Sequence, residues 1–243
     1  RLIAMMSAGL VVSSARLLNG TFEILNALTS KGVAGHELCL LGSSTPCVNA
    51  SKDGLATLEL EENSDFALRA RNERHYQDLY IVGNSGDADF RYPTYMGTRF
   101  EAEALAALML RPYNKSLGTI VVGMDVRVPL AQGGYDLQPA VGATAVLEGI
   151  AGESPFVLWE NFLPRIGQTV LPRGSSFVTW TNMEPDVTGS VEVEPPEGMR
   201  CVVSPGVSSK LGRFPLRAFA DSVTVLSFIC ENATAAAEET SLV

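Results

Sequence analysis

A stretch in the first quarter of the chain, residues 31–60, most strongly constrains the fold. It reads KGVAGHELCLLGSSTPCVNASKDGLATLEL, with two runs of regularly spaced apolar residues on either side of a loop that begins and ends with cysteine. Alternation with a period of two is typical of strands that bury one face. The apolar positions of the two runs are Leu38, Leu40, Leu55, Leu58 and Leu60.

The second run begins directly after Asp53-Gly54, a pair that supplies the positive-φ residue a tight turn needs. Similar turn signals recur about every ten residues, which favours a β-sandwich or barrel over βαβ units. The sequence predicts five strands in the first half and six in the second. They cover residues 22–25, 38–41, 56–60, 66–70 and 79–82, then 119–126, 143–147, 156–159, 176–181, 190–194 and 223–230.

One segment between the two β series, residues 100–110, predicts a helix. It consists of strong helix formers, and Thr98 with Glu101 three residues later forms a capping box. Pro112 ends it. Its apolar stripe is expected to pack on the first β unit or to bridge to the second; the stripe contains Leu105, Leu108 and Met109.

The two β series have a similar order of elements, which indicates a diverged tandem repeat. The predicted fold class is all-β, with two tandem immunoglobulin-like or prealbumin-like β-sandwiches and one short helix between them. The predicted boundaries are a signal-like or docking segment at 1–20, a first sandwich at 21–98, a helix and linker at 99–116, a second sandwich at 117–231 and a tail at 232–243.

The four cysteines favour two local disulfides, Cys39–Cys47 across a loop and Cys201–Cys230 near the end of the chain. No C-x-x-C motif is present, and the only histidines, His36 and His75, lie far along the chain from the second pair, so no metal site is predicted. Disulfides indicate an oxidising compartment. The alternative is four reduced thiols that pack as small apolar side chains.

The N-terminal residues suit the same compartment. Arg1 is followed by a short apolar run and then by small residues, which are the parts of a secretory signal peptide. The run is short for a transmembrane helix. The alternatives are an uncleaved anchor or a segment that docks in a larger assembly. Membrane contact is expected only through residues 1–20, if they are retained. The predicted localisation is extracellular, periplasmic or cell-surface.

Net charge bears on the partners. The chain carries 27 acidic and 18 basic residues, a formal net charge of −9. Such a surface repels phosphate backbones, so no nucleic-acid partner is predicted. An acidic surface is also a common means of solubility, so it does not indicate a basic partner.

The residues around the opening stretch resemble a known family. Residues 33–40 (VAGHELCL), 52–58 (KDGLATL) and 66–68 (FAL) are similar to the V-x-G-A-x-V-x-L and D-x-D-G-x-A-x-L signature of carboxypeptidase regulatory-like domains, which are prealbumin-like or Cna-B-type sandwiches. Residues 142–147 and 177–183 repeat it more weakly. His36 and Lys52 depart from the signature. The resemblance implies a seven-stranded sandwich in a spacer, stalk or accessory module of a secreted protein.

The Cna-B resemblance also implies one covalent possibility. Some members of that class carry a Lys–Asn isopeptide bond next to a buried carboxylate, and Lys115 and Asn232 flank the second β series. Lys115 lies in a turn, however, so a solvated lysine is the expected alternative.

No catalytic motif is present, and the chain is predicted not to be an enzyme and to need no cofactor. The loop Gly83-Asn84-Ser85-Gly86-Asp87 is similar to a serine nucleophile loop, but no histidine motif accompanies it and a glycine-rich turn explains it better. Asn84, Asp87 and Asp89 offer oxygen atoms to a calcium ion, without a complete calcium-loop spacing.

Aromatic residues suggest a possible ligand platform for sugars, centred on Trp159 and Trp180. Core packing is the alternative for both. The accompanying tyrosines are Tyr92, Tyr95, Tyr113 and Tyr135.

Two functions follow as hypotheses. The first is a non-enzymatic secreted or surface-exposed structural protein, a subunit of a larger extracellular or envelope assembly whose partners are other protein subunits or further copies of itself. The second is an accessory module that binds carbohydrate or protein.

Overall fold

The computed structural model describes residues 16–72, 76–131, 135–158, 163–204 and 213–233. The described part of the first half contains seven strands. They are β1 (Leu17–Asn26), β2 (Glu37–Leu40), β3 (Val48–Asn49), β4 (Leu55–Glu61), β5 (Asp65–Arg71), β6 (Asp78–Asn84) and β7 (Phe90–Met96).

A helix, α1 (Arg99–Leu108), separates these strands from a second set. The second set comprises β8 (Gly118–Pro129), β9 (Tyr135–Pro139), β10 (Thr144–Glu148), β11 (Phe156–Leu158), β12 (Pro164–Ile166), β13 (Phe177–Met183), β14 (Thr188–Glu194), β15 (Met199–Val203), β16 (Arg213–Arg217) and β17 (Ser222–Asn232). None of the helices in the described ranges has both the length and the apolar character that a membrane span requires.

The strands form two small sheets and one large one. The small sheets have the orders β4-β1-β7 and β10-β14-β16. The large sheet has the order β12-β11-β13-β8-β17-β6-β5-β2-β3, with β9 paired to β8 and β15 paired to β17. The large sheet therefore runs without a break from strands of the first set to strands of the second.

The two sets of strands repeat one pairing scheme. In the first, β1 pairs antiparallel with β4 and parallel with β7, and β2, β5 and β6 are antiparallel neighbours. In the second, β8 pairs antiparallel with β13 and parallel with β17, and β10, β14 and β16 are antiparallel neighbours. The predicted all-β class, two tandem sandwiches with one short helix between them, is confirmed.

Two hydrophobic cores fill the sandwiches. The first includes Phe22, Ile24, Leu38, Leu58, Leu60, Leu68, Leu79 and Ile81. The second includes Ile120, Val122, Met124, Val157, Val178, Trp180, Val191, Leu226 and Phe228. The residues of each strand that reach a core are two apart, because side chains alternate between the faces of a strand.

The predicted tight turn is present, with one change in the strand after it. Gly54 has a φ of +79°, and a side chain there would clash with the carbonyl oxygen of Ile24, so only glycine fits. In β4 the core-facing residues are Ala56, Leu58 and Leu60, whereas Leu55 is only partly buried. The expectation that Leu55 continues the apolar face was wrong.

The helix begins as the sequence predicts. The Thr98 hydroxyl accepts a hydrogen bond from the Glu101 backbone N–H, and the Glu101 carboxylate accepts one from the Thr98 N–H. This is the predicted capping box. The predicted stripe is only partly buried, since Met109 is buried and Leu108 is exposed. The buried face of the helix also contains Ala106.

Six strands were not predicted: β3, β7, β9, β12, β15 and β16. Pro93 lies in β7 and Pro215 in β16, both at a sheet edge, where a missing N–H breaks no ladder bond. At the N-terminus, β1 begins at Leu17, inside the segment predicted as signal-like or docking. Residues 1–15 of that segment, and residues 234–243 of the predicted tail, lie outside the described part.

Candidate functional site at the junction of the two sandwiches

The junction between the sandwiches is built around one pair of strands. β6 and β17 lie parallel, with Leu79 opposite Val223 and Ile81 opposite Val225. No loop interrupts the large sheet here, so backbone hydrogen bonds connect the two sandwiches directly. We call the β6–β17 pair the seam.

Both faces of the seam are buried, one against each core. In β17, Val225 belongs to the first core, whereas its neighbour Leu226 belongs to the second. In β6, Ile81 belongs to the first core and Val82 packs against the second. Consecutive side chains point to opposite faces of a sheet, so the two small sheets cover opposite faces of the large one. Bending at the seam would expose apolar surface in both cores.

Two aromatic rings stack across the seam. Tyr80 on β6 and Phe219, just before β17, have ring centroids 3.9 Å apart and planes 15° apart. The guanidinium of Arg69 lies 5.9 Å from the Tyr80 ring centre, and that of Arg217 lies 5.6 Å from the Phe219 ring centre. Burial raises the pKa of Tyr80 above its usual value. Each sandwich thus supplies one ring and one cation.

Charged and hydroxyl groups link the helix to the seam. Arg99 donates to the Asp221 carboxylate at 3.1 Å, and the Tyr113 hydroxyl donates to the same carboxylate at 2.8 Å. Gln77 donates to the Tyr113 oxygen at 2.8 Å. Burial, followed by the hydrogen bond to Asp221, raises the pKa of Tyr113, so the hydroxyl stays a donor at neutral pH. Residues 99 and 113 at the two ends of the connection are therefore held against the loop before β17.

A cavity of about 270 Å³ lies beside this network. Its lining combines two arginines with two aspartates; the residues are Arg71, Asn72, Asp78, Arg99, Ala220 and Asp221. Asp78 is bonded to Arg69, and Asp221 to Arg99. The two aspartates are the lining groups of a type that can act as a general base or nucleophile, and both carboxylates are held by arginine side chains. The cavity is also slightly below the usual volume of small-molecule sites.

A second polar cluster lies between β7 and the strands of the second sandwich. The hydroxyl oxygens of Tyr92 and Ser227 are 2.6 Å apart and share a hydrogen bond. Burial raises the pKa of Tyr92 to about 12. Nearby on β8, burial raises the pKa of Asp125 to about 6, against the opposing effect of a hydrogen bond from Ser176. These groups form a polar contact between the two sandwiches within mostly apolar surroundings.

Both predicted disulfides are present. Cys39 on β2 is bonded to Cys47, just before β3, at the edge of the large sheet. Cys201 on β15 is bonded to Cys230, its register partner on β17. The second bond joins a strand of the seam to its antiparallel neighbour. The described residues contain no free cysteine.

The predicted aromatic platform is not formed as expected. Trp180 is only 5% exposed and lies in the second core, so it cannot present its face to a sugar. It packs inward because it follows Val178 by two positions on a half-buried strand. Trp159 lies outside the described residues. Tyr92 is buried, and Tyr95 and Tyr135 are exposed on different strands.

The candidate serine loop and calcium ligands have structural roles. Ser85 is fully buried, and its hydroxyl donates to the Glu61 carbonyl. The Asn84 amide donates to Asp65, and Asp89 accepts from the backbone and side chain of Asn19. These bonds join neighbouring loops and strands rather than converging on an ion. His75, one of the two histidines of the chain, lies outside the described residues.

The residues considered for an isopeptide bond, Lys115 and Asn232, are both exposed. The buried surroundings that the Cna-B chemistry requires are therefore absent at these two positions. The carboxylate whose pKa is most clearly raised by burial is Asp125, which no motif in the sequence indicated as a site residue. Its signal was a lone acidic residue within the apolar run of β8.

An exposed apolar surface remains on the helix and the residues after it. Phe100 is 78% exposed and Leu110 94% exposed, and Leu108 is also exposed. Leu110 has a φ of +56°, a conformation that glycine usually occupies after a helix.

Comparisons with known proteins give only distant likenesses, all to solved structures. No family model matches the chain, and no curated protein matches it. Among solved structures, it is similar to the minor pilin GBS52 of Streptococcus agalactiae (9% identity, 89% of this chain and 96% of that chain, TM-score 0.28). It is also similar to the shaft pilin SpaA of Lactobacillus rhamnosus GG (10% identity, 90% of this chain and 99% of that chain, TM-score 0.23). A third similar structure is the pilus-presented adhesin Spy0125 (13% identity, 78% of this chain and 38% of that chain, TM-score 0.30). At TM-scores this low, nothing about this chain is concluded from the likenesses.

Proposed function

We propose that this chain is a non-enzymatic structural subunit of an extracellular or cell-surface assembly. The observation that carries the proposal is the seam, which joins two sandwiches in one continuous sheet with a core on each face. A rigid connection between tandem sandwiches suits a protein whose task is to hold a fixed length and orientation. A binding module on a flexible linker would not need it.

Two further observations support the proposal. The disulfides suit an oxidising compartment, and one of them secures β17 of the seam. Within the described ranges, the one cluster of metal-ligating groups contains Cys39 and Cys47, whose sulfur atoms are already bonded to each other.

The module limits proposed for this function are 21–98 and 117–231, joined by a helix and linker at 99–116. Residues 1–20 were predicted to direct secretion or to dock the subunit; because β1 begins at Leu17, that role is proposed for the residues before β1. Residues 232–243 are proposed to form a tail. The domain type proposed is the carboxypeptidase regulatory-like or Cna-B class. The alternative of a carbohydrate-binding module is weaker, because Trp180, one of the two tryptophans of the predicted platform, is buried in the second core.

The proposal is tested on intact cells of the source. Labelling with a membrane-impermeant biotin reagent is expected to modify the chain, and cross-linking is expected to give products larger than the 26.0 kDa chain. A cytoplasmic protein of the same cells serves as the control and remains unlabelled. A chain that is protected from the reagent, or that is labelled but always migrates as a monomer after cross-linking, would contradict the proposal.

A further inference from the structure

Strand β9 has one open edge within the described part of the chain. It pairs only with β8, with Asp125 opposite Pro139 and Pro129 opposite Tyr135. The N–H of Ala140 donates to the carbonyl of Met124 on β8. Since backbone groups alternate in direction along a strand, those of residues 136 and 138 also face β8, and those of Tyr135 and Leu137 face outward. Two residues thus present backbone hydrogen-bonding groups to solvent.

Several other sheet edges carry features that discourage pairing. β7, β12 and β16 each contain a proline: Pro93, Pro164 and Pro215. Thr169 and Leu171 hydrogen bond alongside β10. β9 also contains an outward-facing proline, Pro139, at its end, but Tyr135 and Leu137 keep their outward N–H groups and are 64% and 43% exposed. Proteins usually protect an apolar edge strand along its length, so two exposed residues with outward N–H groups suggest a partner strand.

The sequence of β9, Tyr-Asp-Leu-Gln-Pro, is complementary to itself in the antiparallel direction. If Leu137 lies on a two-fold axis, it faces its own copy, and each Tyr135 faces Pro139 of the other chain. Each Asp136 then faces Gln138, so no two like charges are opposed. In this register the two Leu137 residues exchange two N–H to carbonyl bonds. Each Tyr135 N–H faces the Pro139 carbonyl of the other copy, which also accepts from the Val141 N–H of its own chain, and the Tyr135 carbonyl receives no bond because proline has no N–H.

We propose that β9 is a homotypic docking edge, where two copies of this chain join their large sheets by antiparallel pairing centred on Leu137. This inference rests on the proposed role as an assembly subunit and names one of its partners as a second copy. The edge is short, so the contact belongs to the small, weak class of interfaces. Both copies are acidic, so their repulsion is screened by salt and association is expected to strengthen as salt is raised.

Cysteine cross-linking tests the register. The described cysteines are all in disulfides, so an introduced thiol reports on its own position. Leu137→Cys is expected to form a disulfide-linked dimer under mild oxidation, because directly opposed residues lie within bridging distance. Gln138→Cys alone is expected not to form one, whereas a mixture of Gln138→Cys with Asp136→Cys is. Equal cross-linking of Leu137→Cys and Gln138→Cys, or none from Leu137→Cys, would overturn the proposal.

Sedimentation equilibrium of the purified chain provides the second test. Leu137→Pro removes an outward N–H that has no partner among the described residues, so folding is expected to persist while self-association weakens about tenfold or more. Tyr135→Ala is also expected to weaken self-association. The control variant Tyr95→Ala, on an edge that already contains Pro93, is expected to leave self-association unchanged. Association that is unaffected by both β9 variants would refute the docking edge but leave the cell-surface subunit role intact, since that role is measured on intact cells.

Discussion

Asp125 offers the sharpest test of the packing between the two sandwiches. Burial raises the pKa of its carboxyl from 3.8 to about 6, which means that the folded state holds a proton more tightly than the unfolded chain does. Stability is therefore lost as pH rises from about 4 to about 6, and the full penalty of the buried charge applies above that range. A shift of about two pKa units corresponds to about 3 kcal/mol, as an upper figure for a side chain that retains some exposure.

Asp125→Asn removes the charge and keeps the shape. At pH 7.5 we expect the variant to be more stable by about 2 kcal/mol, and at pH 4 to differ by less than about 0.5 kcal/mol. Urea unfolding followed by circular dichroism, with disulfides intact, measures both differences. The exposed Asp87→Asn is the matched control and is expected to change little at either pH. If Asp125→Asn is equally destabilising at both pH values, the carboxyl is not buried as described.

Three further outcomes follow from local structure. Leu110→Gly is expected to stabilise the chain by about 1 kcal/mol in thermal or urea unfolding, because glycine adopts the positive φ without strain; a loss of stability would contradict this. Replacing Cys201 and Cys230 by serine is expected to lower the free energy of unfolding by about 3.5 kcal/mol. Replacing Cys39 and Cys47, which close a shorter loop, is expected to lower it by about 2.5 kcal/mol; equal losses would count against the loop-entropy reasoning. Burial lowers the pKa of His36 below 6.5, so folding stability is expected to fall as pH drops below 6.5, and His36→Phe should flatten that dependence; an unchanged pH profile would refute it.

The local elements were largely predictable because their signals are local. The capping box at Thr98 and Glu101 and the turn at Gly54 need only neighbouring residues to form. Five of the six missed strands contain proline or are very short, as in β16 and β3, and these features weaken a pattern based on apolar alternation. The sixth, β15, has neither feature.

The junction was not predictable in the same way. β6 and β17 are parallel strands far apart in sequence, and neither sequence indicates which strand it pairs with. The apolar run of β17, VTVLSFIC, does show that both of its faces are buried, since a strand with one solvent-exposed face would alternate apolar and polar residues. What covers each face depends on the whole topology. Whether Trp180 faces the core or solvent was not predictable for a related reason, because a half-buried strand can place an aromatic residue on either face.

The central claim is that the seam joins the two sandwiches into one rigid body. Pulsed electron–electron double resonance tests it with spin labels at Glu59→Cys on β4 and Glu194→Cys on β14, both exposed positions on opposite small sheets. A label pair within the first sandwich, Glu59→Cys with Tyr95→Cys, gives the reference width. We expect one distance peak between the sandwiches, as narrow as the reference peak. A broad or multiple distribution, with a narrow reference, would contradict it.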